Sequence, residues 1–174
     1  MIDQCNIRAF ESQDLGRLHE IREEAYKPVF RSFRNIVGER IAAVALAHAE
    51  REQGEFLDEI CQPDSAHEVF VVERGAEIVA FCSISLNQKT KVGVIDLNAV
   101  HPDCQGGGVG TWMYEYGLER LRTAGMLVAE VGTGGDSSHA PARRAYEKAG
   151  FGPGIPNVYL YQELAPSASR PTGR

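Results

Sequence analysis

Cysteine is scarce in this sequence. The four present, Cys5, Cys61, Cys82 and Cys104, form no Cys-x-x-Cys pair and have no clustered histidines beside them. Zinc-ligand spacing is therefore missing, and a disulfide framework does not suit a chain of 174 residues with so few thiols. The expectation is no metal and a reducing compartment, the cytoplasm being the natural one. A basic surplus is lacking too. The formal net charge of −6 argues against nucleic acid, whose phosphates reward a basic surface. It suits a cationic ligand such as a protonated amine, but it equally serves plain solubility. No apolar run approaches a membrane span. The opening residues, Met1-Ile2-Asp3-Gln4-Cys5, lack the basic-then-apolar pattern of a signal peptide. Repeats and Pro/Gly/Ser linkers are absent as well, so residues 1–165 read as one domain. Only residues 166–174, Pro-Ser-Ala-Ser-Arg-Pro-Thr-Gly-Arg, read as a disordered tail.

What is present is an ordinary globular composition, 43% hydrophobic and 24% charged. Asn6 to Phe10 reads as a short strand. Asp14 is placed to cap a helix carrying Leu15, Leu18 and Ile21, which is expected to run to about Tyr26. Helical stretches follow at Gly38 to Ala49 and Phe56 to Cys61. From Glu68 the pattern changes to β-branched runs. Val69 to Val72 and Ile78 to Ile84 flank a turn at Gly75, an antiparallel hairpin. Val92 to Val100 is a strand stopped by Pro102. A helix over Gly110 to Ala124, a strand over Leu127 to Val131, a helix over Ala140 to Ala149 and a last strand over Val158 to Leu164 complete the order. The fold class expected is α/β (α+β): a mixed, mostly antiparallel sheet flanked by helices.

The chemical signal begins at Val100: Val100-His101-Pro102-Asp103-Cys104-Gln105-Gly106-Gly107-Gly108-Val109-Gly110-Thr111. A strand ends, glycines turn the chain, and a helix starts. Glycine admits positive φ and close approach of a ligand, while the first helical N–H groups favour an anion such as a pyrophosphate. A P-loop requires Gly-Lys-Ser/Thr, which is missing. A dinucleotide fingerprint requires Gly-x-Gly-x-x-Gly or a closing Ala. Counting from Gly106 that place holds Thr111, and from Gly108 it holds Met113, so neither start fits.

The pattern that does fit is Gln-x-x-Gly-x-Gly at Gln105, Gly108 and Gly110, after Val100-His101-Pro102. Further on stands Tyr146-Glu147-Lys148-Ala149-Gly150-Phe151. In both motifs the sequence resembles the GNAT superfamily of acyl-CoA-dependent N-acetyltransferases, whose pyrophosphate loop reads Arg/Gln-x-x-Gly-x-Gly/Ala and whose later helix ends Tyr-Glu-Lys-x-Gly-Phe. The resemblance covers roughly Glu68 to Leu164. It implies acetyl-CoA as cosubstrate and a small-molecule or peptide amine as acceptor. It further implies that the strand ending at Val100 splays from its neighbour near Val131. The pantetheine arm would lie there along Asn98, Ala99 and Val100, with Gln105, Gly106, Gly107, Gly108, Val109, Gly110 and Thr111 around the pyrophosphate. Many members are dimers, so a homodimer is an open expectation.

Tyr146 would sit near the thioester sulfur. A phenol of pKa about 10 is a reasonable acid for a leaving thiolate; alternatively Tyr146 is a packing aromatic on its helix. The superfamily often has Asn seven residues earlier, where this chain has His139, which either donates to the cosubstrate or caps the helix. Gln105 stands where Arg is commoner, which takes a charge from the anion site. For the base, Asp96 is the candidate, in the otherwise apolar strand Val92 to Val100; Glu24, His101 and His139 are alternatives. Ideal alternation puts Asp96, Asn98 and Val100 on one face, and a bulge would change that parity. The aromatic and basic run Tyr26 to Phe33 either lines an acceptor pocket or connects two helices in the core. A non-catalytic acyl-CoA-binding module on the same fold remains the second reading, since it needs neither Tyr146 nor a base.

Overall fold

The computed structural model describes residues 4–164, so the tail expected over 166–174 lies outside the described residues. Among the described residues, five strands form one sheet in the order β1-β2-β3-β4-β5: β1 (Cys5–Ala9), β2 (His67–Arg74), β3 (Glu77–Asn87), β4 (Val92–Val100) and β5 (Val128–Val131). All neighbours are antiparallel except β4 and β5, which run parallel. The mixed, mostly antiparallel sheet read from the sequence is the sheet observed.

Helices cover both faces. On one face α4 (Val109–Thr123) and α5 (Ala140–Lys148) pack Met113, Tyr114, Leu121 and Tyr146 against Phe70, Cys82, Ile84 and Ile95. On the other, α1 (Leu15–Val37) and α3 (Ala49–Ile60) pack Leu18, Ile21, Leu57 and Ile60 against Val71, Phe81, Leu97 and Ala99. Burying each such aliphatic or aromatic side chain contributes about 1.5–3 kcal/mol, which is why the middles of β2 and β3, Val69 to Val72 and Ile78 to Cys82, are apolar. The short α2 (Glu39–Ala45) links the helices of the second face. Gly93 of β4 lets α4 settle on the sheet, since a Cβ there would lie 2.4 Å from a Leu121 methyl.

The structure corrects five expectations. Helix α1 does not stop near Tyr26; it continues through Pro28 to Val37. The proline forfeits one backbone hydrogen bond, and burial of Val29 and Phe30 just beyond it offsets the loss. The run Tyr26 to Phe33 is thus helix rather than a connection. Helix α2 ends at Ala45, earlier than read, and α3 starts at Ala49 rather than Phe56. Asp14 does not cap α1 with its side chain. Its carboxylate turns back, accepting two bonds from Arg8 at 2.6 and 3.0 Å and one from the Glu11 N–H at 2.8 Å. Finally, Val158 to Leu164 joins no strand, although its composition suits one. Strand propensity only takes effect where a neighbouring edge supplies hydrogen bonds.

Candidate active site

Strands β4 and β5 pair only from Val92 to Ile95 and from Val128 to Val131. Beyond Ile95 strand β4 runs on to Val100 without that neighbour, so a gap opens at its carboxyl end. The register between β3 and β4 also slips there. Cys82 faces Asn98 while Ile84 faces Ile95, which inserts one extra residue in β4 at Asp96–Leu97. The consequence is a change of parity. Asn98 and Val100 turn towards α4 and α5, whereas Asp96 turns to the opposite face.

On the α4–α5 face the Asn98 side chain is the centre of a cluster. Tyr114 of α4 donates its hydroxyl to Asn98 Oδ1 at 2.8 Å, and Asn98 Nδ2 donates to the Tyr146 hydroxyl at 3.1 Å and to the Asp96 carbonyl at 2.8 Å. The two tyrosine rings lie 4.4 Å apart, and Phe151 meets Tyr146 edge-on at 5.8 Å. Both tyrosines are buried, at 4% and 6% exposure. That burial pushes the Tyr146 phenol above its ordinary value, outweighing the bonds from Tyr114 and Asn98 that pull it down. It is therefore neutral at physiological pH, a proton donor rather than a base. The Tyr26 hydroxyl of α1 donates to the Asn98 carbonyl at 3.0 Å. Burial pushes this phenol up as well.

On the other face Asp96 Oδ2 accepts from Ser85 Oγ at 2.7 Å and lies 3.2 Å from His67 Nε2. The His67 ring is edge-on to Phe56 of α3. Asp96 and Tyr146 therefore sit on opposite sides of one strand, at the bulge. Ala99 is buried under α1, and Val100 packs against the α4–α5 core.

At the end of β4 the glycine loop leads into α4. Gly106 and Gly108 have φ of 76° and 89°, a region that disfavours side chains with a Cβ. Gly108 is the residue before the first helical turn, and no side chain caps it. The amides of Val109, Gly110 and Thr111 in that turn are the ones a helix leaves without internal partners. A Cβ at Gly110 would meet Val100, Ala145 and Tyr114 at ordinary contact distances, so this position lies where the starts of α4 and α5 come close to β4. Gly107 is half-buried between the two positive-φ glycines. The Gln105 side chain is engaged within the loop, donating to the Val100 carbonyl at 3.0 Å.

His139 stands at the start of α5. Its Nδ1 is 2.6 Å from Asp136 Oδ1, and its ring stacks on Phe33 of α1 at 5.6 Å. The capping bond of this turn comes instead from Asp136, whose carboxylate accepts from the Ser138 N–H at 3.0 Å and from Ser32 Oγ at 2.7 Å. Burial alone would raise the Asp136 pKa, but the bonds from Ser138, Ser32 and His139 outweigh it and hold the carboxyl well below its ordinary value. Helix α1 thus touches both sides of the gap, Tyr26 on β4 and Ser32 and Phe33 on the loop after β5. Of the alternative bases, Glu24 pairs with Lys27 at 2.5 Å and His101 Nδ1 accepts from the Asp103 N–H.

Tyr114, Asp136, His67 and Ser85 were not singled out from the sequence, and Tyr26 entered only as the first residue of the run Tyr26 to Phe33. Tyr114 was findable, because it lies one helical turn after Gly110 on the same face. The others reach the site across 11 to 104 positions of chain and leave no local pattern.

Residues 19–151 match the model of the acetyltransferase (GNAT) family. A mycothiol acetyltransferase of Streptomyces bingchenggensis is 33% identical over 82 residues, a stretch covering 47% of this chain and 26% of that protein. The match thus spans only a small part of the length of that curated relative. A GNAT family acetyltransferase from Brucella melitensis, solved in complex with acetyl-CoA, superposes with a TM-score of 0.59 at 21% identity, covering 91% of this chain and 96% of that one. The PaiA N-acetyltransferase of Thermoplasma acidophilum, solved with coenzyme A, superposes with a TM-score of 0.67 at 16% identity, covering 85% and 89%. At these identities the structural likeness is one of fold.

Proposed function

The chain belongs to the acetyltransferase (GNAT) family, and from that premise we propose that it moves the acetyl group of acetyl-CoA onto a primary amine of a small molecule or peptide, by direct attack in a ternary complex. The observation that carries this reading is the continuity of β4. One strand opens from its neighbour at a bulge, holds the Asn98–Tyr146 contact midway, and ends in the uncapped glycine turn.

In this reading the amides from Gly106 to Thr111, with Gln105 shaping the turn, hold the pyrophosphate. The backbone of Asn98, Ala99 and Val100 pairs with the pantetheine arm. His139, fixed by Asp136 and Phe33, contributes a contact from the loop at the far side. The cosubstrate supplies an acetyl group already activated as a thioester. Asp96, on the opposite face of the strand, takes the proton that the amine must lose, with Ser85 and His67 holding its carboxylate. Backbone N–H groups at the bulge stabilise the oxyanion. Tyr146 delivers its proton to the departing thiolate, and Asn98 and Tyr114 keep its hydroxyl aimed. The acetylated amine and the free thiol leave; the tyrosinate recovers a proton from solvent and the Asp96 carboxyl gives one up to it, so protons and charge balance.

The test is calorimetry with acetyl-CoA, CoA, NAD and ATP, followed by thiol release across a panel of an aminoglycoside, a polyamine, amino acids, peptides and a protein lysine. Selective acetyl-CoA binding with turnover of at least one amine is the expected result. Preference for NAD or ATP overturns the reading. Tight CoA binding without turnover on any amine leaves the non-catalytic binding module.

A further inference from the structure

The loop between β5 and α5 is built around one imidazole. His139 Nδ1 lies 2.6 Å from Asp136 Oδ1, and the two side chains are only 15% and 12% exposed. Asp136 Oδ2 meanwhile accepts from Ser138 Oγ at 2.5 Å and from Ser32 Oγ of α1 at 2.7 Å. Burial works against the charge, but these bonds hold the carboxyl well below its ordinary value. Asp136 is therefore an anion, and the proton between the two side chains belongs to His139 Nδ1. That fixes the tautomer and leaves the lone pair on Nε2. Nothing among the described residues bonds to Nε2.

The surroundings preserve this arrangement. A Cβ at Gly134 would lie 2.6 Å from His139 Cε1 and 2.9 Å from Asp136 Oδ1, so only glycine leaves room for the pair. Arg143 of α5 ties the loop down by donating to the carbonyls of Gly134 and Asp136. Phe33 of α1 stacks on the ring at 5.6 Å. The charged groups around the imidazole are thus Asp136 and, through the loop backbone, Arg143; α1 presents Ser32 and Phe33, which carry no charge. The imidazole also shares its walls with the Asn98 cluster. Position 139, at the threshold of α5, is seven residues from 146, and position 26 is seven from 33 on α1. Seven residues are two turns, so each pair shares a face. Tyr26 and Tyr146 meet at Asn98. Phe33 and His139 meet roughly 10 Å further along the same two helices.

We propose that the Asp136–His139 pair is a second proton acceptor of the reaction, the one that turns an arriving ammonium ion into the nucleophilic amine. This rests on the acetyl-transfer reading and adds a role to it. A basic amine reaches the protein protonated and ends as an amide, so its nitrogen gives up two protons. The first moves from the ammonium nitrogen to His139 Nε2. A neutral amine remains, with an imidazolium whose charge the Asp136 carboxylate offsets. The amine then attacks the thioester, and the second proton goes to Asp96. The imidazolium returns its proton to solvent once the product has left. The pair therefore suits acceptors that are cationic at neutral pH.

The test is kcat/KM against pH for His139→Gln, at saturating acetyl-CoA, with the amine that the parent turns over best. The variant is expected to match the parent above the pKa of the free amine, about 8 for a peptide N-terminus or about 10 for a lysine. Below that pKa it should fall behind by about tenfold per pH unit, because only the neutral amine then reacts. Asp136→Asn removes the counter-charge and keeps an oxygen for the Ser138 N–H. It is expected to fall behind over the same range, and it supplies the readout if His139→Gln does not fold. A loss equal at every pH means that His139 only shapes the site or holds the cosubstrate, and overturns the proposal. No loss at any pH overturns it too. A parent that acetylates no amine at all overturns the acetyl-transfer reading itself, and this role with it.

Discussion

Replacing Tyr146 by Phe separates an acid from a packing aromatic. The hydroxyl accepts from Asn98 Nδ2 at 3.1 Å and donates over a longer 3.4 Å to Asn98 Oδ1. When it is removed, Asn98 is not orphaned, because Nδ2 still reaches the Asp96 carbonyl and Oδ1 still accepts from Tyr114. The ring stays in its contacts with Tyr114 and Phe151. The stability cost is therefore about 1 kcal/mol, the net worth of one hydrogen bond, or a Tm lower by about 2–4 °C for a chain of this length. If the phenol protonates the departing thiolate, kcat falls by about 100-fold or more. Acetyl-CoA affinity should change by less than about twofold, since uniform binding is untouched. Thiol release with the best amine of the panel gives kcat, calorimetry gives Kd, and thermal unfolding gives the third number. A kcat within about threefold of the parent, or a fall in kcat matched by an equal loss of affinity, refutes the acid role.

Other predictions rest on separate parts of the molecule. Gly108→Ala puts a Cβ at φ 89° and should cost about 1–2 kcal/mol, with acetyl-CoA affinity falling alongside in calorimetry. Asp96→Asn should lower turnover while leaving acetyl-CoA binding intact; unchanged kcat across the pH range would remove Asp96 from the reaction. Gly93→Ala drives a methyl against the buried Leu121, an overpacking that should cost about 1–3 kcal/mol in denaturant unfolding. Asp14 is depressed below its ordinary pKa, chiefly by the Arg8 bond. Its stabilisation is therefore present above the unfolded carboxylate value of about 4 and is lost as pH falls through the lower folded value. Asp14→Asn should be less stable than the parent at neutral pH, and the difference should shrink in acid; a difference independent of pH would contradict the linkage.

How much of this was legible follows from where each signal lies in the chain. The hairpin from Val69 to Ile84, the strand to Val100, the glycine turn and the helix ending Tyr146-Glu147-Lys148-Ala149-Gly150-Phe151 are local patterns. Alternation, turn residues and helix starts act within a few positions, so the sequence by itself determined those elements and the mixed, mostly antiparallel sheet. The side to which Asp96 points was not legible. A single inserted residue reverses parity, and the insertion exists only in the pairing of β4 with β3. Nor was the passage of α1 through Pro28, because the burial of Val29 and Phe30 that offsets the lost hydrogen bond exists only in the folded chain. The Asn98–Tyr114–Tyr146 cluster joins one strand to two helices, and Tyr26 reaches it from 72 positions away. The last strand shows the same division. Val158 to Leu164 has strand composition, but only a neighbouring edge can satisfy its backbone, and tertiary structure decides whether that edge is within reach.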